Sequence, residues 1–298
     1  MVKNLVVGCS LGLDSIEAVL CDEDFKILKN ETRPAPVKLG KESIATKIEK
    51  TITSLPDLRS VAAVGLSVPG TISGGGKIVE RSPFPELAGA NMFQLLAKRL
   101  DLPIFIFRRN ICAMLAEQAF GELKSAKNAV LVEIGRDISS SYLFNGKIYR
   151  GFTGAAGEIS EMIVDITREK RNATGGFGAL ISGEGIEALT GKSVYQILKE
   201  NPQSSLVNKQ ILRDLKESLL TGLLNIKLLL DPEIFVISGD IVENFNLFQS
   251  SFADLGVKVV KSELGKTALA LGAAIAAYNQ TQKSAAFLRG RLAGGTTA

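Results

Sequence analysis

Ala129-Val-Leu-Val-Glu-Ile134-Gly135-Arg136-Asp137-Ile138-Ser-Ser-Ser141-Tyr-Leu-Phe144-Asn145-Gly146-Lys147-Ile148-Tyr149 is a run of strand-forming residues broken twice by turn residues. Ala129–Ile134 predicts a strand, Gly135-Arg136-Asp137 a turn, and Ser141–Phe144 a second strand. Asn145-Gly146-Lys147 predicts a hairpin turn, since Asn-Gly tolerates the left-handed backbone such turns need, and Ile148–Tyr149 a third strand. The same grammar stands near the start of the chain. Leu5–Cys9 predicts a strand, Ser10-Leu11-Gly12-Leu13-Asp14-Ser15 a turn, Ile16–Cys21 a strand, Asp22-Glu23-Asp24 a turn, and Phe25–Leu28 a strand. Aligning Gly12 with Gly135 places Asp14 on Asp137, Leu20 on Leu143, Asp22-Glu23 on Asn145-Gly146 and Phe25 on Ile148. One such unit in each half predicts two related α/β lobes.

Working outward, the stretch between the repeats ends in Pro103-Ile-Phe-Ile-Phe107-Arg108-Arg109-Asn110. Ile104–Phe107 reads as a short strand buried on both faces. Asn110 is the expected N-cap of a helix with Ile111, Met114/Leu115 and Ala119 on one stripe, and Gly121 is placed to close it. In an open α/β sheet, ligands gather at the carboxyl ends of the strands. An enzyme is expected to place an acid or base there, and this chain places two arginines. Ile44, Ile48 and Ile52 mark an amphipathic helix, Val61–Val68 a strand, and Asn91–Leu100 a helix. Beyond the second repeat, residues 166–182 read as loop, and Ser182 caps a short helix over Glu184–Leu189. Residues 205–230 form the longest predicted helix, stopped by Asp231-Pro232. Glu233–Ser238 is a strand, and Lys266–Tyr278 a small-faced helix able to pack closely. Residues 281–298 show no periodicity and read as a tail.

Composition removes several chemistries. The 298 residues include no histidine, which excludes His as general base, zinc ligand or triad member. Cys9, Cys21 and Cys112 lie in apolar segments without Cys-x-x-Cys spacing and read as reduced core thiols of a cytoplasmic protein. The net charge of +4 comes from 35 basic and 31 acidic residues interspersed, which is not the block of a nucleic-acid arm. The first residues are no signal peptide, and no apolar run reaches the ~18 residues of a membrane span.

Several motifs in order resemble the ROK family of bacterial sugar kinases and sugar-responsive repressors. They are Ser67-Val68-Pro69-Gly70, Gly154-Ala155-Ala156-Gly157-Glu158-Ile159-Ser160-Glu161, Ile186-Glu187-Ala188-Leu189, Ser238-Gly239 and Leu271-Gly272-Ala273-Ala274. The resemblance spans about residues 4 to 280 and implies a two-lobed actin/hexokinase-like ATPase fold of α/β class with duplicated β-hairpin phosphate loops. The expected lobes are residues 1–109, completed by a helix at 266–280, and residues 110–265. It also implies a homodimer, for which Phe245, Phe248 and Phe252 supply an apolar surplus.

The chain departs from the family where chemistry is concentrated. Arg108 and Arg109 stand where the family has Asn and its catalytic Asp. Ser10 replaces the Asp of the first phosphate loop, and Gly135-Arg136-Asp137-Ile138-Ser139-Ser140-Ser141 replaces Gly-Thr-Gly-Ile-Gly-Gly-Gly. Glu161 takes the place of the zinc-binding His, and the zinc cysteines are missing from 166–185. By resemblance, Gly12, Gly135, Arg136, Asp137 and Gly239 are the nucleotide positions, for ATP with Mg²⁺; the alternative is hairpins kept for the fold alone. Glu158 and Glu187 are the sugar-hydroxyl positions, with Glu161 and Arg108 beside them; the alternative is a structural role. Arg cannot accept a proton at any working pH, so the expected catalytic set is empty. The reading is a non-catalytic sensor or partner-binding module, with an active hexose kinase using relocated residues as alternative. No zinc, no membrane and no DNA reading by this chain are expected, since no helix-turn-helix pattern precedes Leu5.

Overall fold

A computed structural model gives the fold for all residues except 1–4, 13, 36–39, 74–75, 83, 170–175, 193–196, 198–205, 266 and 295–298. Leu13, Lys266 and residues 170–175 of the expected loop therefore lie outside the described residues. Two units emerge, residues 1–120 with 264–298, and residues 121–263.

In the first unit, β1 (Leu5–Leu11), β2 (Ser15–Cys21) and β3 (Ile27–Pro34) form an antiparallel meander. Helix α1 (Gly40–Thr53) leads to β4 (Val61–Val68). A small sheet of β5 (Thr71–Ser73), β6 (Ile78–Arg81) and β7 (Ala90–Asn91) follows, then α2 (Met92–Ala97), β8 (Ile104–Arg108) and α3 (Arg109–Phe120). The main sheet runs β3-β2-β1-β4-β8, with β1, β4 and β8 parallel. One face buries Val7, Leu11, Val64 and Leu66 together with Ile44, Ile48 and Ile52 of α1, as the four-residue spacing predicts.

In the second unit, β9 (Ala129–Ile134), β10 (Ile138–Phe144) and β11 (Lys147–Tyr149) repeat the meander. Short helices α4 (Ile166–Glu169), α5 (Phe177–Ile181) and α6 (Gly183–Thr190) precede α7 (Leu206–Leu230) and β12 (Ile234–Ser238). Helix α8 (Gln249–Ala253) and β13 (Lys258–Lys261) complete the unit. Its sheet runs β11-β10-β9-β12-β13, the order of the first sheet, again with the last three strands parallel. Asn145 and Gly146 turn with φ 50° and 75°, the left-handed pair that an Asn-Gly hairpin needs. The core packs Val130, Val132, Phe235 and Ile237 against Leu215, Leu219, Leu223 and Ile226 of α7.

The last helix, α9 (Ala268–Gly294), returns to the first unit. It lies on the other face of the first sheet, where Val6, Val19, Cys21 and Ala63 meet Ala270, Ala274 and Ala277. The approach is backbone to backbone. A Cβ on Gly8 would overlap the Ala270 carbonyl, one on Gly65 the Ala273 carbonyl, and one on Gly272 the Cys112 carbonyl of α3.

Several expectations are corrected. The repeat holds at an offset of 123 along the first strands, where Leu11 and Ile134 each end their pairing. Along the second strands Ile16 and Ile138 correspond, an offset of 122, so Leu20 does not fall on Leu143. The cause is one extra residue in the first turn. The unit boundary falls after Phe120 rather than at 109, because α3 packs on α9. Residues 281–294 continue α9 instead of forming a tail, which makes α9 longer than α7. Residues 166–182 include α4 and α5. The third strand starts at Ile27, since Phe25 turns at φ 61° and sets its ring edge-on to Tyr278 at 5.4 Å. Asn110 is not an N-cap: β8 pairs with β4 through Arg108, so the helix begins at Arg109 and Asn110 is buried inside it. Phe248 and Phe252 are no surface surplus; they stack at 6.5 Å within their own unit's core, with Phe245 packed against that core.

Candidate functional site

At the end of β8, residues 104, 106 and 108 alternate inward, so Arg108 is buried at the level of Val68. Arg109, half-buried, opens α3, and its Nη1 donates to the Leu11 carbonyl at 3.4 Å, beside the first hairpin turn. That turn is closed by the Gly12 amide donating to the Ser15 carbonyl at 2.8 Å, and its Asp14 is exposed. Ser10 is buried and pairs across the sheet with Glu17 on one side and Ser67 on the other. Burial, reinforced by the Glu17 charge, pushes the neighbouring Cys9 thiol far above its ordinary range. A thiol held protonated is no nucleophile.

The second hairpin turn is bonded to itself and to α6. The Gly135 amide donates to the Asp137 carbonyl at 3.0 Å, and the Ile138 amide to the Asp137 carboxylate at 2.7 Å. Ser160 also hydrogen-bonds that carboxylate. On the outer side, the Gly183 and Glu184 amides donate to the Gly135 and Arg136 carbonyls at 2.8 and 2.9 Å. Ser182 caps α6 by accepting from the Gly185 amide at 3.1 Å, as its sequence position predicts. Gly183 packs closely here, since a Cβ would stand 3.2 Å from the Arg136 backbone. Gly239, at φ 85°, presses on the Ile134 carbonyl and sets Asp240 beside Gly135. Asp137 itself is exposed over part of its surface, yet its carboxyl is turned in. Burial pushes its pKa up, the nearby Glu184 and Glu133 add to the rise, and the Ile138 and Ser160 hydrogen bonds oppose it.

The motif Gly154–Glu161 joins this cluster through Ser160. Gly154 and Gly157 turn with φ 82° and 97°, and the Gly157 carbonyl accepts the Ser140 amide at 2.8 Å. Glu158 begins a short 3₁₀ turn over Ile159–Glu161 with no side-chain cap, and both Glu158 and Glu161 are exposed. Glu187 is exposed on α6. Ser160 seats against Gly178 of α5, where a Cβ would overlap its hydroxyl. Sequence reasoning named Asp137 but missed its partners Ser160, Glu184 and Glu133. Only the capping spacing of Ser182 pointed toward α6.

Whether an ATP polyphosphate fits this turn can be judged from its donors. Glycine-rich turns hold phosphate with free backbone amides. Here the Gly135, Ile138 and Ser140 amides are already engaged, and Asp137, Glu184, Glu133 and Asp240 surround the turn. One carboxylate opposing one phosphate charge at about 4 Å costs about 4 kcal/mol at an effective dielectric of about 20. These residues do not fit a polyphosphate. For metals, no group of three or more His, Cys, Asp or Glu among the described residues is arranged to hold an ion, and no described helix is long and apolar enough to cross a membrane.

Comparison with known proteins places this geometry. Over 166 residues the chain is 30% identical to a glucokinase of Thermotoga maritima, which covers 55% of this chain and 52% of that protein. It is 26% identical over 168 residues to the xylose repressor of Bacillus subtilis, covering 55% and 44%. The chain thus spans about half the length of the curated relatives it matches. A ROK hexokinase from Thermus thermophilus superposes with a TM-score of 0.78 at 19% identity, over 94% of this chain and 99% of that one. The duplicated sheets are therefore those of the actin/hexokinase-like fold, and the relatives include both kinases and repressors. The sequence pattern that defines the ROK family matches residues 6–287, so the chain belongs to the ROK family.

Proposed function

We propose that this chain is a sugar-kinase-like regulator that binds a sugar or phosphosugar and does not transfer phosphate. One observation carries the reading: β8 ends in Arg108 and α3 opens with Arg109, which is bonded to the end of β1 beside the first hairpin turn. Sugar phosphorylation needs a carboxylate to accept the hydroxyl proton and to orient the nucleophile. A guanidinium accepts no proton. Glu158 and Glu187 are exposed acceptors suited to vicinal hydroxyls, with Glu161 on the same 3₁₀ turn as Glu158. As a family resemblance, the proposal extends to a cytoplasmic homodimer, tested by light scattering.

The test is a coupled ADP-release assay with ATP·Mg²⁺ and a hexose panel, beside calorimetric titration with the same hexoses and their phosphates. The expected result is heat of binding for a sugar or sugar phosphate, weakened at least tenfold by Glu158→Ala, with no turnover. Turnover above background overturns it. A second reading, an active hexose kinase with a relocated base, is favoured by Asp137, whose pKa is raised as a general base's often is. It requires turnover that Asp137→Asn abolishes.

A further inference from the structure

We propose that the Asp137 carboxylate is a built-in anion, seated in the second hairpin turn where a phosphate would be held, and that it closes this turn to polyphosphate ligands.

Three features of the turn carry this. Asp137 accepts the Ile138 amide at 2.7 Å and is bonded by Ser160 as well. A carboxylate accepting a backbone amide and a hydroxyl makes the same kind of bonds as a phosphate oxygen. Next, the turn cannot readily reshape to free other donors. Its Gly135 and Arg136 carbonyls are held by the first two amides of α6, and Gly183 lies close against the Arg136 backbone. Finally, the surroundings are negative. Glu184 and Glu133 are near enough to raise the Asp137 pKa, and Asp240 Oδ2 would stand 3.4 Å from a Cβ on Gly135. A second anion entering would meet these charges as well as Asp137. Arg136 adds one positive charge, but it is exposed, where solvent and salt screen it. The Ile138 and Ser160 hydrogen bonds hold the one resident carboxylate in place against surroundings that disfavour negative charge. Removing that carboxylate leaves the Ile138 amide and the Ser160 hydroxyl as an open pair of donors.

The experiment uses the full chain and two probes, ATP·Mg²⁺ and inorganic tripolyphosphate, in calorimetric titrations of wild type, Asp137→Gly and Asp137→Asn. Hydrogen exchange at the Ile138 amide is read on the same samples. Wild type is expected to give no binding heat at millimolar probe and a slowly exchanging Ile138 amide. Asp137→Gly is expected to bind tripolyphosphate at least tenfold more tightly than wild type and to exchange Ile138 at least tenfold faster. Asp137→Asn keeps an acceptor without the charge and should fall between. Micromolar binding by wild type overturns the proposal, as does Asp137→Gly with unchanged affinity and unchanged exchange. If Asp137→Gly does not fold, the other pair decides: a threefold or greater gain in Asp137→Asn supports the proposal, and no gain overturns it. No sugar or turnover enters the measurement, so a failure here leaves the sugar-binding reading to its own test.

Discussion

Gly8 of β1 faces the carbonyl of Ala270 in α9 with no room for a methyl group between them. Gly65 on β4 meets Ala273 in the same way, and these contacts lay the last helix directly on the sheet backbone. Forcing a Cβ into packed backbone costs typically 1–3 kcal/mol, with larger values where nothing can move. Gly8→Ala and Gly65→Ala should each destabilise the protein by about 3 kcal/mol in urea denaturation. A change below about 1 kcal/mol would mean that α9 yields easily and does not anchor the sheet.

Asp137 gives a pH prediction with a definite sign. A carboxyl whose folded pKa is raised binds its proton more tightly folded than unfolded. Its stabilising contribution is full below the unfolded pKa and is lost as pH rises through the folded one. Asp137→Asn, which carries no charge to bury, should therefore be more stable than wild type at pH 7, and the gain should shrink toward pH 4. A stability difference that is flat across that range contradicts the assigned environment.

The Ser182 cap holds the helix that seats on the second hairpin turn. Ser182→Ala removes the acceptor for the Gly185 amide and should cost about 1 kcal/mol. Faster hydrogen exchange of the Gly183 and Glu184 amides should accompany it, since both donate to the turn. Exchange that stays at the wild-type rate would separate the cap from the seat.

The three cysteines are buried, and the Cys21 thiol is pushed up to about 12, mainly by burial and then by the Asp22 charge. Thiolate is the reacting form, so native protein should react with Ellman's reagent at least a hundredfold more slowly than the unfolded chain. One thiol reacting at the unfolded rate would indicate local opening of the first sheet.

Restoring a carboxylate at the strand end should not restore a kinase. In Arg109→Asp the second turn keeps Asp137 and its occupied amides, so a new base would have no positioned γ-phosphate to work against. Parts that act together are not recovered singly. The coupled ADP-release assay should stay at background across the hexose panel. Clear sugar-dependent turnover would show that the phosphate loops were never the obstacle.

The sequence by itself determined the duplicated α/β plan. Apolar runs between turn residues gave β1, β2, β9 and β10, and the four-residue spacing of Ile44, Ile48 and Ile52 gave α1 with its buried face. Asn145-Gly146 and Ser182 were legible as turn and cap because each acts within three residues of its own position. The absence of a carboxylate after Phe107 was legible as well, since it needs only the strand end. Register and side-chain partners were not. The one-residue slip between the two repeats depends on how each turn closes, and Asn110 lost its capping place because pairing with β4 carried β8 one residue further. Helix α9 outran its apparent stop at 280, and Phe248 and Phe252 turned inward because α7 and β12 offered them a core. The fate of Asp137 was decided in space too. Its residue type announced a charge in a turn, but Ser160 lies 23 positions away and Glu184 47 positions away in the sequence. Local propensity has no means of bringing such groups together, and only the folded chain gives that carboxylate its hydrogen bonds and its raised pKa.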